Sequence, residues 1–199
     1  MADTAGLQAR RRLTRTERRA QLLDVARTLI REAGTDELTL ARVAERAGVT
    51  KPVVYDHFGD RSGILAELFR EFEARQREVL AAALADAEPV LDVRARLVAA
   101  AFVDCCLAEG RELADVVAAL AGSSELRALR QEAEDAYLAM CQEALEPVGG
   151  LVAGGSLDAV IGAGDALVRS TLDGRITAAR ARDVLTRVIV AVVAPEPAA

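Results

Sequence analysis

Apolar side chains recur along most of this chain at helical spacing. Leu40, Val43, Ala44 and Ala47 make one stripe with the i, i+3, i+4, i+7 pattern of an amphipathic helix. Before it, Leu22, Ala26, Leu29, Ile30 and Ala33 mark the face of a longer helix. Thr14 and Glu17 open that helix as a T-x-x-E capping box, and Gly34 stops it. After the short stripe comes Gly48, placed as a glycine just past a helix end, and then Thr50, whose hydroxyl can cap a further helix. Val49 and Val54 take hydrophobic-staple positions around that cap, and Pro52 falls in the first turn, where its missing N–H costs little. Helix, glycine turn and capped helix over residues 39–58 form a helix-turn-helix signature, whose second helix can enter a major groove.

Helical spacing continues to the end of the chain. Asp60 can cap a fourth helix that keeps Ile64, Leu65, Leu68, Phe69, Phe72, Val79, Leu80 and Ala83 in register to about Asp86. Pro89 breaks it. The next helix runs to about Ala108 with Leu97, Val98, Ala101, Phe102, Cys105 and Cys106 inward, and a short one spans 111–121. Ser124 can cap another, carrying Leu126, Leu129, Ala133, Tyr137, Met140, Cys141 and Leu145. Residues 147–155, PVGGLVAGG, read as a loop. Two helices with wide apolar stripes follow, from about Leu157 to Leu172 and about Thr177 to Val193, and Gly162, Ala166 and Ser170 form a small-residue row allowing close approach. The expectation is an all-α chain of about nine helices: a three-helix unit over 14–59 and a helical body over 60–194. A disordered basic arm over 1–13 and a tail over 195–199 flank them. Only 3% of the residues are aromatic and there is no Trp, which agrees with the all-α reading.

With Val54 and Phe58 inward, the second helix of the signature leaves Thr50, Lys51, Val53, Tyr55, Asp56 and His57 outside. Val53 and Tyr55 beside Lys51 suit thymine methyls and phosphates. The plain alternative is a helical hairpin with scattered surface apolars. A net charge of −6 looks wrong for a nucleic-acid partner, but residues 1–60 hold eleven basic and nine acidic residues, whereas 61–199 hold fourteen and twenty-two. An acidic body repels DNA and leaves the N-terminal end as the approach.

Residues 14–69, from TRTERRAQLLDVARTLIREAG through LTLARVAERAGVTKPVVYDHFGDRSGIL into ELF, resemble the DNA-binding domain of the TetR family of transcriptional regulators. Gly34, Gly48, Tyr55 and Phe58 stand in family places. The remainder resembles the family only in being helical and of the right length. The resemblance implies a homodimeric, ligand-responsive regulator, a repressor foremost, binding a pseudo-palindromic double-stranded DNA operator. A ligand-responsive activator and a helical adaptor are the alternatives.

The DNA-facing set is then Thr39, Leu40, Arg42, Thr50, Lys51, Pro52, Val53, Tyr55, Asp56 and His57. Arg10, Arg11, Arg12 and Arg15 join it from the N-terminal side, with Arg18 and Arg19 also near the phosphates. Arg61 joins it where the family usually has a phosphate-binding lysine, and Ser62 stands where the family usually has Glu. In the family the last helix pair builds the dimer interface, which here implicates Leu157, Val160, Ile161, Leu167, Val168, Leu185, Val188, Ile189 and Val192; alternatively these stripes only complete the subunit core. The effector implied is a small apolar molecule, with Phe102, Cys106, Tyr137, Cys141, Asp165 and Arg169 as candidate contacts and an aliphatic lining, given so few aromatics.

Other chemistry finds little support. His57 is the single histidine and lacks neighbours for a metal site, so no metal and no cofactor are expected. Cys105 and Cys106 point about 100° apart on a helix and suit burial better than redox sensing. Asp165 and Arg169 have the i, i+4 spacing of an ion pair, or Asp165 anchors a ligand. No nucleophile–base pairing or phosphate loop stands out, which argues against an enzyme. Residues 1–20 contain no secretory apolar segment, and no uncharged run is long enough to cross a bilayer, so the expected location is the cytoplasm, away from membranes.

Overall fold

The structure, a computed structural model, describes residues 13–149 and 156–193. The arginines at 10–12, the segment 150–155 and the tail 195–199 lie outside the described residues, as does the side chain of Leu157. Among the described residues the chain is helical throughout. Its elements are α1 (Arg15–Ala33), a 3-10 turn (Thr35–Glu37), α2 (Leu40–Ala47), α3 (Lys51–Phe58), α4 (Arg61–Leu84), α5 (Leu91–Glu109), α6 (Arg111–Leu120), α7 (Ser124–Gly149), α8 (Ser156–Leu172) and α9 (Ala178–Val193).

Local signals account for most of these boundaries. The capping box of α1 is complete: Glu17 N–H donates to Thr14 Oγ1 at 3.2 Å and Thr14 N–H to Glu17 Oε2 at 2.8 Å. Thr39 caps α2 by accepting from Arg42 N–H at 3.2 Å. Gly48 closes α2 in the left-handed region, φ 65° and ψ 36°, which costs a glycine nothing sterically. Asp60 Oδ1 caps α4 by accepting from Gly63 N–H at 2.9 Å. Thr50, in contrast, makes no side-chain cap on α3; only its carbonyl accepts, from Val53 N–H at 3.1 Å. The α7 cap falls one residue earlier than expected, on Ser123, whose hydroxyl accepts from Leu126 N–H at 3.1 Å. Nor does the chain leave the helix at Pro147: α7 continues to Gly149 with Pro147 inside it. The proline is exposed and in the last turn, where a carbonyl deprived of its partner can turn to water.

The first three helices share a core of Leu22, Ala26, Ile30, Leu38, Val43 and Val54, each no more than 2% exposed. Each of the Leu, Ile and Val side chains among them contributes roughly 1.5–3 kcal/mol when removed from water, and the Ala26 methyl less. The corner from α3 into α4 needs a glycine: a Cβ on Gly63 would overlap the Phe58 carbonyl oxygen. In the body, α5 lies at the centre, packed by α4, α8 and α9. Leu185 and Ile189 are fully buried inside this single chain, and Val160 and Val168 are nearly so. These four therefore belong to the subunit core, correcting their assignment to a dimer face. The period identifies a buried face but not the partner that buries it. Ile161, Leu167, Val188 and Val192 are half-buried, and Gly162 and Ala166 are exposed. Close packing of small residue against ring occurs instead at Gly164, where a Cβ would come within 2.5 Å of Phe102 Cε1.

Candidate nucleic-acid interface and an internal cavity

α3 is held from behind and left open in front. Arg19 donates from Nη1 to the His57 carbonyl at 2.8 Å, pairs with Glu67 at 2.7 Å and lies 5.0 Å from the centroid of the Phe58 ring. Arg15 donates to the Asp56 carbonyl at 3.2 Å. Both guanidinium groups sit at the C-terminal end of α3, where the helix dipole favours positive charge. On the open face Thr50, Lys51, Pro52, Tyr55 and Asp56 are exposed, Tyr55 at 54%, while Val53 and His57 are half-buried. His57 Nδ1 is itself buried without a partner, and burial, with Arg15 and Arg19 adding to it, lowers the imidazole's pKa. Lys51 is the chain's single lysine. Among the described residues of this unit, every arginine donates a hydrogen bond or pairs with a carboxylate, and Lys51 does neither.

The flanking candidates divide. Thr39 is exposed at the start of α2, and Arg42 beside it pairs with Glu37. Leu40 is only 6% exposed and belongs to the core, which corrects its placement on the DNA side. Arg61 donates to the Thr35 carbonyl at 2.7 Å, tying the start of α4 to the 3-10 turn.

A cavity of about 70 Å³ lies between α4, α5, α6, α7 and α8. Phe69, Phe72, Phe102 and Tyr137 line it, four of the six Phe and Tyr residues in the chain. The lining of this cavity is thus not the aliphatic one expected of an effector pocket: the scarce aromatics are concentrated here, which composition does not reveal. Of the candidate effector contacts, Phe102, Cys106, Tyr137 and Asp165 line this cavity, whereas Cys141 faces a small adjoining void and Arg169 an outer cleft of about 280 Å³. Cleft and cavity share Cys106, Leu113, Val117, Arg130 and Asp165 as walls.

The polar groups of the cavity are mostly ones that periodicity assigns to solvent. Glu73 and Gln76 on α4 are 8% and 3% exposed. Glu73 Oε2 has no hydrogen-bond partner, and burial raises this carboxyl from 4.5 to about 7. Arg130 pairs with Glu134 at 2.6 Å and lies 3.6 Å from Asp165, so the partner of Asp165 is on α7 and not the Arg169 one turn along. Burial raises the Asp165 pKa against the pull of Arg130 and Arg169. All three cysteines are buried free thiols; desolvation raises Cys105 and Cys106 and pushes Cys141 up to about 12, so they act as small apolar residues.

α6 joins the cavity to the N-terminal unit. Leu113 and Val117 form cavity wall, while the neighbouring Glu112 faces α1. Its oxygens lie 3.8 Å from Arg27 Nε and 3.5 Å from Arg31 Nε, and Arg27 also pairs with Glu71 of α4. Burial raises the Glu112 pKa and the two arginines oppose that.

Residues 22–68 match the sequence model of a family described as bacterial regulatory proteins, tetR family. The N-terminal unit belongs to the TetR family. Over 67 residues it is 34% identical to the HTH-type transcriptional regulator BetI of Cronobacter sakazakii, an alignment covering 34% of this chain and 33% of that protein. The chain thus matches about a third of the length of these curated relatives. Likeness of the whole chain is one of fold. A TetR-like transcriptional regulator from Rhodococcus sp. RHA1 superposes with a TM-score of 0.68 at 23% identity, covering 89% of this chain and 96% of the other. The regulator FadR from Bacillus subtilis, solved with stearoyl-CoA, gives 0.71 at 22%, covering 86% and 97%.

Within the TetR-family unit, the matched segment begins inside α1 and ends inside α4, so it contains all of α2, α3 and the Gly63 corner. Arg19 is the residue whose part differs most from the sequence reading: it grips the rear of α3 instead of standing free. Gly63 escaped that reading altogether, because nothing in a local pattern shows that its Cα meets the end of the preceding helix.

Proposed function

We propose that the chain is a sequence-specific, DNA-binding transcriptional regulator, a ligand-responsive repressor acting in the cytoplasm as a homodimer on a pseudo-palindromic operator. The observation that carries this reading is the open face of α3. Its rear is fixed by Arg15 and Arg19, while Lys51, the one described cation of the unit without a partner, stands free beside exposed Tyr55 and Thr50. Phosphate contacts position such a helix and base-edge contacts specify the site. Lys51, Tyr55 and Arg61 are the positioning contacts; Thr50, Pro52, Val53, Asp56 and His57 are left to the groove. Thr39 and Arg42 flank them, and a minor-groove role is assigned to Arg10, Arg11 and Arg12 on their charge alone.

Dimerisation is proposed on the outward faces of α8 and α9. Gly162 and Ala166 are exposed there, and Leu167, Val188 and Val192 are half-buried. The effector site is the cavity beneath α6. An effector that alters the seat of Leu113 and Val117 moves Glu112 against Arg27 and Arg31, hence the body against α1. Only a ligand that prefers the non-binding arrangement shifts the equilibrium.

Selection of genomic duplexes by the full-length protein, followed by sequencing, tests the reading. It predicts enrichment of sites with two-fold symmetric half-sites about one helical turn or a multiple apart. Recovery no better than from a random pool excludes it.

A further inference from the structure

We propose that the cavity is built for an organic ammonium ion with an apolar body, the Glu73 carboxylate being its counter-charge and the surrounding rings its cage. This rests on the effector reading and narrows it from a neutral apolar ligand to a cationic one.

The geometry requires a partner that the chain does not supply. Glu73 is more than nine-tenths buried, lines the cavity and has an oxygen with no donor. A buried carboxylate in that condition is costly unless something compensates it. The cations nearby act on it only through space and form no ion pair with it. Arg77, one turn along α4, is exposed and forms no ion pair with it. Arg130 is occupied by Glu134 and Asp165. The cavity therefore carries three carboxyl groups, Glu73, Glu134 and Asp165, against one guanidinium. An anionic ligand meets repulsion there, and a neutral donor can bond to the Glu73 oxygen but brings no counter-charge, whereas a hydrogen bond from a cation is the stronger one.

The rings favour the same class of ligand. Phe69, Phe72, Phe102 and Tyr137 converge on a space next to that carboxylate. Aromatic faces attract ammonium groups, most strongly when water is excluded. A carboxylate with no partner and a ring cage together form a site for a cation, whereas either alone would fit many ligands. The outer cleft, walled by Leu113, Val117, Val168 and Leu172, can take an apolar body.

Calorimetric titration of the full-length protein at pH 7.5 tests this with three probes of equal chain length: n-hexylammonium, 1-hexanol and n-hexanoate. The ammonium probe is expected to bind about tenfold or more tightly than either of the others. Glu73→Gln, which keeps shape and removes charge, is expected to abolish that preference while leaving 1-hexanol binding within about twofold. Should this variant lose its helical circular dichroism, Phe102→Leu decides instead, and it too should lower the ammonium preference. Equal binding of the three probes, or an ammonium preference that survives the variant, overturns the proposal. The same titration repeated with operator-bound protein separates this proposal from the effector reading. Glu73-dependent ammonium binding that releases no operator sinks the effector role and leaves the cation site standing. Absence of the ammonium preference sinks the cation site whatever the operator does.

Discussion

Lys51 stands exposed at the first position of α3 with no acceptor of its own, and a free cation there is placed for a phosphate. Lys51→Ala is expected to weaken binding to all duplexes alike and to reduce the slope of log affinity against log salt by about one unit. A change confined to sequence preference, measured by titration at several salt concentrations, would contradict the assignment. Glu73 is the opposite case, a carboxyl kept from solvent. Its folded-state pKa is raised from 4.5 to about 7 by burial, helped by Glu134 and resisted by Arg77 and Arg130. Between those values the unfolded chain has released the proton and the folded chain still holds it. Stability therefore falls as pH rises through that window, by up to about 3 kcal/mol from this group. Thermal melts of Glu73→Gln should show a flatter decline from pH 5 to 8 and, at pH 8, a higher midpoint than the unsubstituted protein. An unchanged pH profile would mean that Glu73 is not held out of water.

Among the elements, α9 shows how one stripe can divide between two duties. Leu185 and Ile189 face α5 and are fully buried, whereas Val188 and Val192 on the neighbouring flank are only half-covered. Leu185→Glu should therefore unfold the chain, because an unpaired charge in the core costs several kcal/mol. Val188→Glu should instead leave a folded monomer, by sedimentation together with circular dichroism; a variant that remains dimeric places the interface elsewhere. This division was invisible in the sequence, since apolar spacing reports that a face is covered and not by what. The helices themselves were legible, because Leu40, Val43 and Ala44 recur at helical spacing and Thr14 and Asp60 supply caps at their own ends; the cap on Thr39 shows only in the structure. The cavity was legible only in part. Phe102, Tyr137 and Asp165 were legible as candidate contacts on apolar helices. Glu73, Gln76, Arg130 and Glu134 look like ordinary solvated positions until α4 and α7 are brought together. Pro147 misled for a related reason: a proline stops a helix when its lost bond cannot be replaced, and on an exposed last turn water replaces it.

At the scale of the molecule, charge and mechanics run in one direction. Residues 1–60 are net positive and 61–199 net negative, so the acidic body turns the N-terminal end toward a polyanion. α6 carries cavity wall on one side and Glu112 against Arg27 and Arg31 on the other, which gives the cavity a physical connection to the unit that holds α3. Everything proposed about effector and dimer presupposes that α3 reads a particular sequence. The most direct measurement is the affinity of the full-length protein for its selected site against a scrambled duplex of equal length and composition, both at physiological salt. The account predicts a preference of about 10³ or more. Equal affinity for the two duplexes would contradict it.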